Sequence, residues 1–326
     1  LVTAVPDPAQ SPAVLTVILN WRTAEMTLRS VDAAEIAMQG IPGNIVVVDN
    51  DSGDGSFERM SEALKDRPRI RVVQSGHNGG FGAGNNVAIR LGLPGGARPD
   101  YVYILNSDAF PAPDAIRLLR DYLESQPKAG LAGSYIHGPD GEPHTTCFRF
   151  PSAASEFEFA ARTGPVSRLL AKRTVWMDLP EASGPVDWLA GASLMIREAV
   201  VRSVGTFDEA FFLYFEETDL CRRAREAGWA THYVRESRVE HIGSVSTGMK
   251  NWDRVPGYWF DSRWLYFRKA GGTRRAVGAT LAYLAGAMIL QVRTLIQPKV
   301  TGGRPHFLRD LTGHALRQLF GSKSTR

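Results

Sequence analysis

Apolar positions in the first 140 residues gather into four short, almost unbroken runs: "VLTVILNW" (14–21), "NIVVVDN" (44–50), "RIRVVQS" (69–75) and "YVYILNS" (101–107). Between them the spacing changes to a helical one, near residues 24–39, 55–65, 82–91 and 113–125. Continuous apolar strands alternating with helices predict a parallel sheet covered on both faces. In such sheets ligands sit beyond the carboxyl ends of the strands. Each of the runs at 44–50 and 101–107 stops on polar side chains, so Asp49, Asn50, Asp51, Asn106, Ser107 and Asp108 are expected at the ligand edge.

Beyond residue 140 the pattern loosens. Residues 143–173 show no clean period and predict loops and short helices over the sheet. "VDWLAGASLMIRE" (186–198) is strand-like, residues 207–229 run into a helix with Gly228 as its stop, and 230–244 are extended again. No long-period repeat and no low-complexity segment is present.

Composition is that of a globular protein, 44% apolar and 22% charged. Two cysteines, Cys147 and Cys221, cannot make a disulfide framework and favour a reducing compartment. The Pro-rich opening, residues 1–13, lacks the basic and apolar regions of a signal peptide and reads as a processed or truncated flexible lead-in. Charge changes the picture more. Residues 263–326 hold twelve Lys or Arg against Asp310 alone, a charge of +11 that leaves −7 on residues 1–262. Such a tail is expected to meet something anionic: nucleic acid, membrane phosphate or a phosphorylated substrate.

Four polar clusters carry the candidate chemistry. "VVVDNDSGDGS" (46–56) is either a turn or a place where a carboxylate accepts hydrogen bonds from a base or ribose. "SGHNGGFGAGNN" (75–86) leads into a helix, and its glycines would let backbone N–H groups approach a phosphate. It fails the dinucleotide fingerprint, since G-x-G-x-x-G begun at Gly80 places Asn85 at the last glycine. In "NSDA" (106–109) an acid at the ligand edge suits Mg²⁺ or a similar hard cation held by few protein ligands and substrate phosphates; Asp114 is placed to cap the following helix instead. "YFEETDLCRR" (214–223) crowds Glu216, Glu217 and Asp219 into one helical turn beside Phe211, Phe212, Tyr214 and Phe215. The helix dipole tolerates acids there, and an aromatic surround also raises a carboxyl toward the range of a general base.

In their order along residues 14–270, "VVDNDS", "NGGFGAGNN", "LNSDA", "GASLMIR", "FDEAFFLYFEETDLCRR", "HIGSVS" and "SRWLYFRKAGG" resemble glycosyltransferase family 2, and within it the bacterial rhamnosyltransferase-like branch. The resemblance implies an α/β fold: a GT-A type, Rossmann-like nucleotide-binding domain with a mainly parallel central sheet over residues 14–255. Its donor half would be 14–140 and its acceptor half 141–255, followed by a basic helical, membrane-proximal extension at 256–326.

It also implies roles. Asp49 would read the nucleotide base, with Asn20, Asp51, Asn78, Gly79 and Asn106 around the donor nucleotide. Asp108 stands at the second acid of the family's Asp-x-Asp element, whose first acid is here Asn106; with His241 it would hold Mg²⁺ or Mn²⁺ on the donor diphosphate. Glu217 aligns with the catalytic base of the family's acidic pair, Glu216 with its first member, and Asp219 is the runner-up base. Arg263 and Arg268 would meet a diphosphate, and Asp187 and Trp188 would lie on the acceptor side. The implied reaction is an inverting transfer of L-rhamnose from dTDP-rhamnose to a polyprenyl-diphosphate-linked sugar in cell-wall or surface polysaccharide synthesis. A galactofuranosyl- or other hexosyltransferase using a UDP-sugar is the alternative.

A sugar-nucleotide pyrophosphorylase would want a Gly-rich loop with Arg and Lys after the first strand, where "LNWRTAEM" has only Arg22. A non-catalytic nucleotide-sugar-binding module would not need Glu217 and Asp108. The apolar stretch 276–292, flanked by Arg274, Arg275 and Arg293, is short for a bilayer span. With an amphipathic segment at 304–320 it predicts a helix lying on the inner, cytoplasmic face of an anionic plasma membrane rather than a nucleic-acid partner. The oligomeric state is left open.

Overall fold

The structure is a computed structural model that describes residues 11–243, 252–297 and 303–321. Most of the expected lead-in, and Ser244, Val245 and Ser246 of the "HIGSVS" motif, lie outside the described residues.

The described chain forms two compact units. The first holds residues 11–148, 178–212 and 216–243. It opens with β1 (Val14–Asn20), α1 (Ala24–Ala37), β2 (Gly43–Asp49), α2 (Ser56–Leu64), β3 (Ile70–Gln74), α3 (Gly80–Leu91) and β4 (Tyr101–Asn106). Every predicted strand and helix of this stretch is present, with no end moved by more than two residues. β1, β2 and β4 are buried along almost their whole length because helices cover both faces of the sheet. α1 buries Thr27, Ser30, Val31 and Ala34, a single stripe at helical spacing.

The unit continues through β5 (Ala109–Pro111), α4 (Ala115–Ser125), β6 (Ala129–His137) and β7 (Cys147–Phe148). Next in the chain come α5 (Ala153–Ala161) and α6 (Gly164–Leu169), which belong to the other unit. The first unit resumes with β8 (Gly184–Val186), β9 (Trp188–Leu189), β10 (Ser193–Arg197), α7 (Glu198–Val204), α8 (Glu216–Glu226) and β11 (Ala230–His241). Strand order in the main sheet is β3-β2-β1-β4-β10-β6-β11-β5, with β8 on β11. β3, β2, β1 and β4 run parallel, as do β6 and β11, whereas β10 is antiparallel to both β4 and β6. The buried run "SLMIR" of β10 suits either direction, so its apolar pattern carried no signal for this reversal.

The second unit holds residues 149–177, 213–215, 252–297 and 303–321. α9 (Gly257–Ile296) is broken at Gly271 and Gly272, the latter at φ +74°, a value glycine adopts without penalty. α5 packs along α9, and α10 (Phe307–Phe320) closes on α9 as well. Gly286 allows the closest approach, since a Cβ there would lie 2.3 Å from the Phe157 carbonyl oxygen. Of residues 143–173, expected as loops and short helices over the sheet, 149–173 group with the C-terminal helices. Their short apolar faces fit α9, whose small residues (Ala276, Ala279, Gly286, Ala287) leave room for them.

Candidate functional site

The carboxyl ends of β1, β2 and β4 lie side by side, so their terminal polar residues meet. At β4 the chain leaves Asn106 and passes through Ser107 to Asp108, which is only 5% exposed. Asp108 Oδ1 is 3.1 Å from His241 Nε2, and Oδ2 accepts from the Gly243 N–H at 3.1 Å. His241 comes from the end of β11, which pairs with β5 through Ala109. Burial by itself would raise the Asp108 carboxyl. The hydrogen bond and charge of His241, with the Gly243 N–H, outweigh it and hold the carboxyl below its usual range. Asn106 Nδ2 lies 3.4 Å from the same His241 nitrogen.

The acidic helix is tied to this edge by backbone. The Asn106 N–H donates to the Ala192 carbonyl at 3.1 Å, and the N–H of the preceding Gly191 donates to Glu217. The Phe81 ring packs on Gly191 and edge-on against Phe207. Glu217 is partly buried, and its Oε2 has no hydrogen-bond partner. Burial, outweighing hydrogen bonds from its own backbone and Gly191, pushes Glu217 up to about 7. Beneath it, Glu216 is 2% exposed, also with an unpartnered Oε2. Burial, then the charge of Glu217, drives Glu216 well above the usual carboxylate range. The chain enters this pair through Tyr214 and Phe215, both at φ +69°, a conformation costly for aromatic residues and concentrated at functional sites.

A cation held here would find one carboxylate and one imidazole converging, with the Asn106 amide beside them. Among the described residues no three His, Cys, Asp or Glu side chains gather to cage a metal. That donor set fits a hard divalent ion taking its remaining ligands from a diphosphate and water, as Mg²⁺ and Mn²⁺ do in phosphate sites.

Residues 12–256 match the family model described as "Glycosyltransferase like family 2". The chain belongs to this family. It is 33% identical over 215 residues to N-acetylglucosaminyl-diphospho-decaprenol L-rhamnosyltransferase of Mycobacterium tuberculosis, covering 64% of this chain and 69% of that one. It is 29% identical over 165 residues to rhamnosyltransferase WbbL of Escherichia coli K12, covering 50% and 60%. Among solved structures it is similar to the mannosyltransferase PcManGT of Pyrobaculum calidifontis in complex with GDP-Man and Mn²⁺, with a TM-score of 0.55 and 16% identity over 96% of this chain and 83% of that one. The S. aureus TarS 1–349 complex with UDP is another, at a TM-score of 0.52 and 12% identity over 87% and 72%. The fold is therefore GT-A.

Within that family-2 frame the expected residues separate into two groups. Asn106, Asp108 and His241 share one cluster, and Glu216 and Glu217 are joined to it through Ala192 and Gly191. Gly191 and Phe81 were not singled out by sequence; both lie inside quoted motifs, but only the fold shows that they flank a carboxyl.

Other residues are committed to holding the fold. Asp49 is 1% exposed, and its carboxylate accepts from Asn20 Nδ2 at 2.7 Å, Ser52 Oγ at 2.6 Å and the Ser52 N–H at 3.1 Å. Asn20 in turn accepts from Thr27 Oγ1 at 2.7 Å. Asp51, at φ +58°, and Asp54 are the exposed acids of that turn. Asn78 Oδ1 accepts from Asn50 Nδ2 and the Gly80 N–H. Gly79 packs against Ala83.

The glycines of this passage serve packing more than phosphate approach: a Cβ on Gly80, at φ +88°, would lie 1.8 Å from the Phe212 carbonyl oxygen. Asn86 then clamps the same loop, exchanging hydrogen bonds with the Phe207 backbone.

Three expectations change. Asp219, the runner-up base, is fully buried, and its two oxygens are taken by Arg222 at 2.8 Å and Arg223 at 2.7 Å inside α8. Arg263 is 1% exposed and spends its guanidinium on Glu156 at 2.6 Å and Thr280 at 3.2 Å inside the second unit. Asp114 occupies the N-cap of α4 without a side-chain cap bond. Arg268 is exposed on α9. Asp187 pairs with Arg225 at 2.8 Å, and Trp188 stacks on Phe148 with ring centres 4.2 Å apart.

Proposed function

We propose that this glycosyltransferase moves L-rhamnose from dTDP-rhamnose to a hydroxyl of a polyprenyl-diphosphate-linked sugar, with inversion at the anomeric carbon. One observation carries the reading of the site: the Ala192–Gly191 backbone joins the Glu217 carboxyl to the strand edge where Asp108 meets His241. Family membership supplies the reaction type. Relatives named as rhamnosyltransferases, one of them for an N-acetylglucosaminyl-diphospho-decaprenol, support the donor sugar and the acceptor class.

In this mechanism Glu217 takes the proton of the acceptor hydroxyl as it attacks the anomeric carbon. Its raised pKa, set mainly by burial, makes it a competent base near neutrality. Asp108 and His241 would hold Mg²⁺ or Mn²⁺, which when bound supplies positive charge to the leaving nucleoside diphosphate. Asp51, exposed directly after the end of β2, is the acid offered to the base side of the donor.

The second unit suits a membrane surface. One helix, α9, is long and apolar enough to cross a membrane by length and composition, and its most apolar window is 28% buried. Its inner side packs on α5, while Leu281, Met288, Val292 and Leu295 face outward, Leu295 being 85% exposed. Apolar side chains outward on a helix flanked by Arg274, Arg275 and Arg293 favour a peripheral, interfacial position on an anionic cytoplasmic leaflet. Calorimetric donor titration with dTDP-rhamnose, UDP-galactofuranose, UDP-glucose and GDP-mannose tests the assignment. Preference for dTDP-rhamnose is expected, and tighter binding of UDP-galactofuranose would move the enzyme to galactofuranosyl transfer.

A further inference from the structure

The second unit contains a cavity of about 320 Å³ between the end of α5, the outer half of α9 and the start of α10. Tyr283, Ala287, Leu290 and Phe307 give it an apolar floor, and Arg162, Arg304 and Arg309 stand on its wall with no acidic side chain among its lining. The acid adjoining it, Asp310, lies 3.6 Å from Arg309 but is gripped by Arg254 through both oxygens, at 2.6 and 2.7 Å. Arg293 bonds to the Arg162 carbonyl oxygen and so brings a fourth cation to this end. The first turn of α10, whose N-terminus opens here, has no side-chain cap, so its dipole adds to the positive field. None of these groups belongs to the donor site, and the glycosyl transfer reaction does not use them.

The surroundings point to an amphiphile rather than a bare anion. Gln291 is on the cavity wall, and its helical neighbours Met288 and Leu295 lie on the same side of α9, 67% and 85% exposed. A nucleic acid would not use that apolar strip, and a free phosphate would not need the apolar floor. We propose that this cavity seats the phosphate of an anionic bilayer phospholipid, with the acyl chains lying along Met288 and Leu295. This rests on the membrane reading above and makes it specific: association would depend on one defined lipid seat as well as on diffuse charge.

The test uses the full chain and dihexanoyl phosphatidylglycerol below its micelle concentration, with binding followed by NMR or calorimetry. Saturable binding is expected, weakened about tenfold or more in Arg304→Gln/Arg309→Gln, the scale that two engaged basic side chains supply. Arg274→Gln/Arg275→Gln removes the same charge outside the cavity and should leave this binding within about twofold. Circular dichroism melts establish that both variants fold. Equal losses in the two variants, absence of saturable binding, or equally tight binding of inorganic phosphate would overturn the proposal. Tighter binding of farnesyl diphosphate than of the phosphatidylglycerol would also overturn it, by giving the cavity to a prenyl lipid. The lipid titration needs no donor, and dTDP-rhamnose titration of the same samples tests the glycosyltransferase assignment separately. Loss of donor binding in the wild-type chain would sink that assignment and leave the lipid result standing.

Discussion

His241 Nε2 stands 3.1 Å from Asp108 Oδ1, although 133 residues separate them in the chain. Antiparallel pairing of β11 with the short β5 makes this meeting, since His241 pairs with Ala109, next to Asp108. In the proposed site one carboxylate and one imidazole would stand in for the two acids of the family's Asp-x-Asp element. Asp108→Asn should abolish metal-dependent donor binding and turnover while leaving the thermal midpoint nearly unchanged. His241→Ala should weaken donor binding in the same direction, because Asp108 loses the partner that offsets its burial. Calorimetric titration of donor with and without Mn²⁺ checks both.

A base with a pKa of about 7 gives a definite pH profile. As the proposed base Glu217 works deprotonated, so kcat should rise with pH through about 7 and then level off. Glu216, raised by burial and by the charge of Glu217, stays neutral while Glu217 titrates, so Glu216→Gln should leave the midpoint of the rise near 7. A midpoint moved to lower pH in Glu216→Gln would show that Glu216 ionises first.

The same pair affects stability, with an opposite-looking sign. Glu216 has a folded pKa raised above its unfolded value, so its favourable contribution is complete below the unfolded pKa, near 4.5, and is lost as pH rises through the folded one. Glu216→Gln should therefore raise the thermal midpoint relative to the wild type at pH 8, and the gain should vanish near pH 4. Melts across that range measure it.

Arg263 gives a prediction about the second unit. Its pairing with Glu156 is almost wholly buried, and removing one partner of such a pair typically costs about 3–5 kcal/mol. Arg263→Ala should lower stability by that order in chemical denaturation while donor affinity in the surviving folded protein is unchanged. A specific loss of donor binding with full stability would return Arg263 to the diphosphate.

The sequence made the donor half readable because its two periods, continuous apolar strands and amphipathic helices, are local. β1 to β4 and α1 to α4 appear where the pattern puts them. Polar residues at strand ends marked Asn106 and Asp108 for the same reason. What stayed hidden depends on pairing at long range. Nothing local distinguishes Asp49, whose oxygens are consumed by Asn20 and Ser52, from the exposed Asp51 two residues on. The glycines of "NGGFGAGNN" looked like a phosphate cradle because glycine permits any close approach; the approach turned out to be that of the Phe212 carbonyl. Arg263 was expected at a diphosphate by resemblance alone, and its partner Glu156, 107 residues away, has no local signature.

Turnover of Glu217→Gln beside Asp219→Asn, under saturating dTDP-rhamnose and lipid-linked acceptor, tests the assignment of the base most directly. Glu217→Gln should keep donor affinity and lose about 10²–10⁴-fold in kcat, the usual worth of a general base. Asp219→Asn should lose stability through its two arginines and keep most of its turnover per folded molecule. Near-normal kcat in Glu217→Gln, with the large loss in folded Asp219→Asn, would contradict the assignment and place the base at Asp219.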